Sequence, residues 1–158
     1  MKGITSIFLI VVLFLISPKL AFGQEFSLIK GTVADNLPIS DSIAESFAMY
    51  LPRNYSADKN WPIVFVFDNE GRGINAARLF SSAAEDQGYL IVASNNISKQ
   101  DSLVTNLKTA SRLLEKLLQN FPIDNNRVYT AGLQEGALVA SSLPAIYPKI
   151  KGVLVVDD

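Results

Sequence analysis

Two residue types are missing altogether from this 158-residue chain: it has no Cys and no His. The first absence excludes a disulfide framework, a thiolate metal site, a Cys nucleophile and a lipid-modified N-terminal Cys. The second removes the side chain that most readily shuttles protons near neutral pH. No Ser-His-Asp triad can then be assembled within the chain, and zinc and other imidazole-dependent centres are disfavoured. An excess of one charge sign is missing too. Fourteen Lys plus Arg stand against fifteen Asp plus Glu, a net charge of −1 with no long run of either sign, which leaves no electrostatic footprint for nucleic acid.

What is present suffices for one domain with a real core: 49% of residues are hydrophobic and 18% charged. Residues 1–23 read as an export signal. Lys2 supplies a basic start, residues 7–16 an unbroken apolar core, and Ser17-Pro18 breaks it ahead of Ala21-Phe22-Gly23, whose small residues match a cleavage site. The apolar core falls short of the roughly 20 residues that cross a bilayer, so the membrane is met only through this segment. Cleavage before Gln24 removes Lys2 and Lys19 and no acid, leaving 12 basic against 15 acidic residues, a balance of −3. The expected product is a secreted or periplasmic domain spanning residues 24–158.

Residues 27–34 and 46–51 alternate as strands and suggest an opening hairpin around a polar turn at Asn36-Leu37-Pro38 to Asp41. Residues 63–67, Ile-Val-Phe-Val-Phe, are continuously apolar, the signature of a central parallel strand covered on both faces. Ala76, Phe80, Ala83, Ala84 and Gln87 then recur at helical spacing up to Gly88, and residues 90–93 form another short strand. Leu103, Leu107, Ala110, Leu114, Leu117 and Phe121 mark an amphipathic helix stopped by Pro122. Strands at 128–131 and 152–156 flank a helix at 137–143. From residue 62 onward strand and helix alternate, which implies a mostly parallel sheet with helices on both faces.

The organising stretch is Gly132-Leu133-Gln134-Glu135-Gly136, set between the strand at 128–131 and the helix at 137–143. Strand, G-x-?-x-G, helix is the layout of a nucleophile elbow, where two glycines allow a turn so tight that the middle side chain stands above the sheet. Here that residue is Gln134, whose amide is not a nucleophile.

Taken together, the hairpin, the wound sheet and the elbow resemble the α/β-hydrolase fold. More narrowly, Phe47-Ala48-Met49-Tyr50-Leu51-Pro52, Trp61-Pro62-Ile63-Val64 and Val128-Tyr129-Thr130-Ala131-Gly132 resemble secreted bacterial esterases of the polyhydroxybutyrate-depolymerase and dienelactone-hydrolase-like group, over residues 45–158. The resemblance implies that Gln134 stands at the nucleophile position and that the backbone N–H of Glu135 is one oxyanion-hole donor. A second donor would come from Asp68, Asn69, Glu70 or Gly71. Both donors are backbone groups, so a hole able to bind a carbonyl or carboxylate can outlive the loss of the nucleophile. The chain departs from the group in lacking the elbow Ser and any His, and in ending before the strands and loops that carry the group's acid and His. Asp157 and Asp158 come one strand early for the acid and are not assigned that role.

These readings point to a partial α/β-hydrolase domain, esterase-related, without hydrolase activity of its own and without a cofactor. Its expected ligand is a small ester or glycan. Two alternatives stand beside it: half of a complementing ester hydrolase, and a non-catalytic binding module of the cell envelope. With 152–156 as a fully apolar edge strand, self-association or a complementing partner is expected there, and a gene fragment is a further reading. Gly71-Arg72-Gly73-Ile74-Asn75-Ala76 also matches the outline of a dinucleotide fingerprint, although Asp68-Asn69-Glu70 separates it from its strand and no acid ends the next one. Asp68, Glu70, Glu135, Asp157 and Asp158 form a carboxylate rim that a hard cation could use, with Arg72 as its charge partner, or that water solvates.

Overall fold

The computed structural model describes residues 28–156; the expected export signal and Asp157 and Asp158 lie outside them. At the centre is β3 (Trp61–Asp68), buried at every position but Val64. Its alternation serves two cores. Trp61, Ile63, Phe65 and Phe67 point into the larger one, with Leu113, Leu114 and Leu117 of α2 (Leu103–Asn120) and Val139 and Ala140 of α3 (Gly136–Ser142). Val64 and Val66 point into the smaller one, against Ala76, Ala77 and Ala84 of α1 (Gly73–Gln87). Helices therefore cover both faces, α1 on one and α2 with α3 on the other.

With β1 (Val33–Ser40), β2 (Ile43–Tyr50), β4 (Leu90–Ser94), β5 (Ile123–Leu133) and β6 (Ile150–Val156), the six strands lie in the order β1-β2-β4-β3-β5-β6. β4, β3, β5 and β6 are parallel, whereas β2 runs antiparallel to both β1 and β4. The expected mixed sheet is present. Among the described residues no helix is long and apolar enough to cross a membrane.

The hairpin differs from its sequence reading. Asn36, Leu37 and Pro38 do not form the turn; they lie within β1, and the reversal falls at Asp41-Ser42. Leu37 and Ile39 explain the shift, because both are buried and carry the strand into the larger core across a bulge between Ala34 and Leu37, where Asn36 takes φ 53°. Upstream, Gly31 turns with φ 77° and donates to Leu51 O, so residues 28–32 are not strand. β5 begins at Ile123, five residues before the apolar run at Val128, its polar stretch crossing a register irregularity opposite Trp61 and Ile63.

α2 matches its stripe closely. Ser102 caps it, its Oγ accepting from Thr105 N–H at 3.1 Å, and the helix gives way at Phe121-Pro122. α1 ends where Gly88, at φ 71°, closes the last turn on Ala84 O.

Candidate functional site

Parallel strands deliver their following loops to one edge of the sheet, and the candidate residues gather there. β5 ends at Leu133, Gln134 makes the reversal and α3 starts at Gly136. Gln134 takes φ 51°, a left-handed conformation that favours glycine, yet its side chain is exposed rather than packed. Its N–H is spent on Val156 O at 2.9 Å and its carbonyl accepts from Ala137 N–H at 2.9 Å, so the backbone is fixed on both sides. Glu135 N–H has no acceptor among the described residues. Steric fit explains the flanking glycines. A Cβ on Gly136 would collide with the Phe67 carbonyl, and one on Gly132 would lie 2.6 Å from Gly136 C while striking the Ala137 backbone. Behind the turn, buried Thr130 holds strand to helix by donating to Ala140 O at 3.0 Å.

The loop after β3 faces this reversal. Asn69 is buried, and its Nδ2 donates to a carboxylate oxygen of Glu135, joining residues 66 positions apart. Its Oδ1 is buried with no hydrogen-bond partner among the described residues, an unmet acceptor of a kind that native interiors seldom keep. Gly71 N–H closes a turn on Asp68 O, and Glu70 N–H leans on Asp68 Oδ1 at 3.4 Å. Asn69 N–H, like Arg72 N–H, has no acceptor among the described residues.

Asp68 is 2% exposed and paired with Arg72 Nε at 2.8 Å, while Arg72 Nη1 lies 3.0 Å from Glu70 and Lys99 Nζ 3.7 Å from it. The neighbouring carboxylates also raise the Arg72 guanidinium, first through the hydrogen bond to Asp68. A cation thus already sits between two of the carboxylates considered for a metal, and Glu135 turns to Asn69 instead. No group of three or more potential ligands clusters among the described residues. The glycines of the dinucleotide outline do not keep space for a phosphate either. A Cβ on Gly71 would stand 2.6 Å from Asn95 O, and one on Gly73 2.8 Å from Ala93 O; these glycines make room for the end of β4. The same contacts mean that this loop is packed rather than loose.

Between the loops after β3 and β4 opens a groove of about 470 Å³, lined by Asn69, Glu70, Asn96, Ser98 and Gln100 among others, with Ile97 as its apolar member. The candidate residues Asp68, Asn69, Glu70 and Gly71 lie on the β3 side of it; the β4 side is added by the structure. Three amides make that side firm. Asn106 of α2 holds Ser98 from both ends, accepting from its N–H at 3.2 Å and donating to its carbonyl at 2.8 Å. Asn95 donates to Asp35 and to Ser46 Oγ, each at 3.0 Å, and Asn96 Oδ1 accepts from Ser46 N–H at 2.7 Å. The run Ser94-Asn95-Asn96 straight after a buried strand was the signal available for it. Lys99 N–H then closes the groove floor on Asn69 O at 2.9 Å.

No family model matches the chain, and no curated protein sequence does. Solved structures do. An esterase from Pyrobaculum calidifontis superposes with a TM-score of 0.64 at 15% identity, covering 82% of this chain and 46% of its own. The fold is that of the α/β-hydrolases. Acetyl xylan esterase from Aspergillus awamori gives a TM-score of 0.61 at 17% identity over 80% of this chain and 53% of that one. A thermophilic carboxylesterase cloned from a metagenomic library gives 0.59 at 14% identity over 78% and 45%. The chain therefore spans about half the length of these α/β-hydrolase neighbours, and at such identities the likeness concerns fold.

Proposed function

We propose that this chain is an exported, catalytically silent relative of serine esterases, within or near the polyhydroxybutyrate-depolymerase and dienelactone-hydrolase-like group, that binds a small polar ligand at its rim without turning it over. The observation that carries this reading is Gln134: an amide in a left-handed, exposed conformation at the reversal between β5 and α3, in a chain with no His. In an esterase that place needs a hydroxyl and a base within hydrogen-bond reach of it, and the amide offers neither an attacking oxygen nor a titratable proton. Binding chemistry survives. Glu135 N–H and Asn69 N–H can meet a carbonyl oxygen, and the amides and hydroxyl of the adjoining groove suit a polyol or a glycan hydroxyl better than an acyl chain.

The test is turnover of short-chain aryl esters together with calorimetric titration of envelope glycan fragments. The expected results are no hydrolysis by the chain or by Gln134→Ser, since no imidazole is present to take the new hydroxyl's proton and the rim carboxylates of Asp68, Glu70 and Glu135 are engaged by Arg72 and Asn69, and glycan binding that weakens in Asn69→Ala and Gln134→Ala. Hydrolysis by Gln134→Ser alone, or failure of every glycan fragment to bind, would contradict the proposal.

A further inference from the structure

Asn69 N–H and Glu135 N–H, two rim donors without an acceptor among the described residues, belong to the same two residues whose side chains are bonded to each other. One contact therefore ties the loop after β3 to the reversal after β5 and sets the spacing of the donors before a ligand arrives. Asn69 supplies the firm half. It is 4% exposed, and its carbonyl accepts from Lys99 N–H at 2.9 Å. Glu135 supplies the charged half. Its carboxylate is covalently tethered to one donor residue and hydrogen-bonded to the other, which keeps a negative charge within a few ångströms of wherever the two N–H groups meet a ligand.

The surrounding charges do not cancel it. Asp68 is paired with Arg72, and Glu70 with Arg72 and Lys99, so both cations of this rim are engaged by other carboxylates. Glu135 takes part in none of the ion pairs among the described residues. Asn69 Oδ1 adds a buried acceptor that no donor meets. An incoming carboxylate brings a like charge and acceptors only, whereas a neutral acetamido group brings a carbonyl for the N–H pair and an N–H for the acceptors. We propose that Glu135 is the specificity determinant of the rim: it positions the donor pair through Asn69 and turns anions away, so that the ligand is a neutral, acetamido-bearing glycan and not a uronic acid. This selectivity rests on the binding reading of the rim proposed above and narrows it from carbonyl or carboxylate to neutral carbonyl.

Acetamide and acetate, alike in shape and different in charge, are the probes, titrated at matched ionic strength and read by heteronuclear NMR at the Asn69 and Glu135 amide resonances of the isotope-labelled chain. Wild type is expected to bind acetamide about tenfold more tightly than acetate, the effect of one like charge at a partly screened site. In Glu135→Gln, whose amide oxygen still accepts from Asn69 Nδ2, that ratio should fall to within about threefold. Glu135→Ala lifts the charge and also cuts the bond to Asn69, so the preference should vanish there too while acetamide binds more weakly than to wild type. Equal binding of the two probes by wild type, tighter binding of acetate, or a preference that survives in either variant would overturn the charge selection and leave the rim reading standing. Undiminished acetamide binding in Glu135→Ala would overturn the positioning role. Resonances indifferent to both probes would overturn the rim reading and this selectivity together.

Discussion

A left-handed non-glycine residue held by its neighbours costs about 1 kcal/mol, and Gln134 bears that cost at φ 51° while its side chain is exposed. Gln134→Gly is therefore expected to raise stability by about 1 kcal/mol, read as a higher urea midpoint at unchanged slope; a lower midpoint would mean that the amide makes stabilising contacts. Gly136 behaves in the opposite way. A methyl group there meets the fixed Phe67 carbonyl, and Gly136→Ala should cost about 3 kcal/mol, at the upper end for overpacking, since backbone and not a pliable side chain must give way. Near-neutral behaviour in the same titration would show that β3 and α3 can part. The turn was legible because it depends on two glycines four positions apart. The bond from Asn69 to Glu135 was not, because nothing local marks a pair 66 residues distant.

At the scale of elements, periodicity was readable wherever one face decides burial. α2 falls within two residues of its stripe because Ser102 and Pro122 punctuate it. β1 was misplaced because Asn36 and Pro38 carry turn chemistry, whereas burial of Leu37 and Ile39 governs the strand. The polar start of β5 was hidden for the same reason: Asp124 and Arg127 pair at 2.7 Å on its surface and leave no apolar pattern. One tie between elements has a pH signature. Glu45 of β2 is gripped by Arg112 of α2, with Nε at 2.8 Å from Oε2, and Thr109 donates to the same carboxylate. The Arg112 hydrogen bond, with its charge and Thr109 assisting against burial, holds the Glu45 carboxyl below its usual range. A lowered value contributes stability that is whole above the unfolded value, roughly 4.3, and is lost as pH falls through the folded one. Glu45→Gln should cost about 1 kcal/mol at pH 7, allowing for solvent around Arg112, and flatten the stability loss below roughly pH 4.5. Parallel acid profiles for the two proteins would rule this contact out as a source of acid sensitivity. At the alkaline end, burial first and Glu85 second push the Tyr50 hydroxyl up to about 12.

For the whole molecule, the sheet, its two cores and its rim form an α/β-hydrolase core spanning about half the length of the esterases that share it. The absences of His and Cys constrain its chemistry more than any pocket does. The proposed recognition without turnover rests on a rim with backbone donors, an amide-lined groove and no imidazole. The most direct measurement is hydrolysis of a short-chain aryl acetate by the purified chain and by Gln134→Ala. Both rates are expected to match buffer alone; a rate above buffer that disappears with Gln134→Ala would contradict catalytic silence.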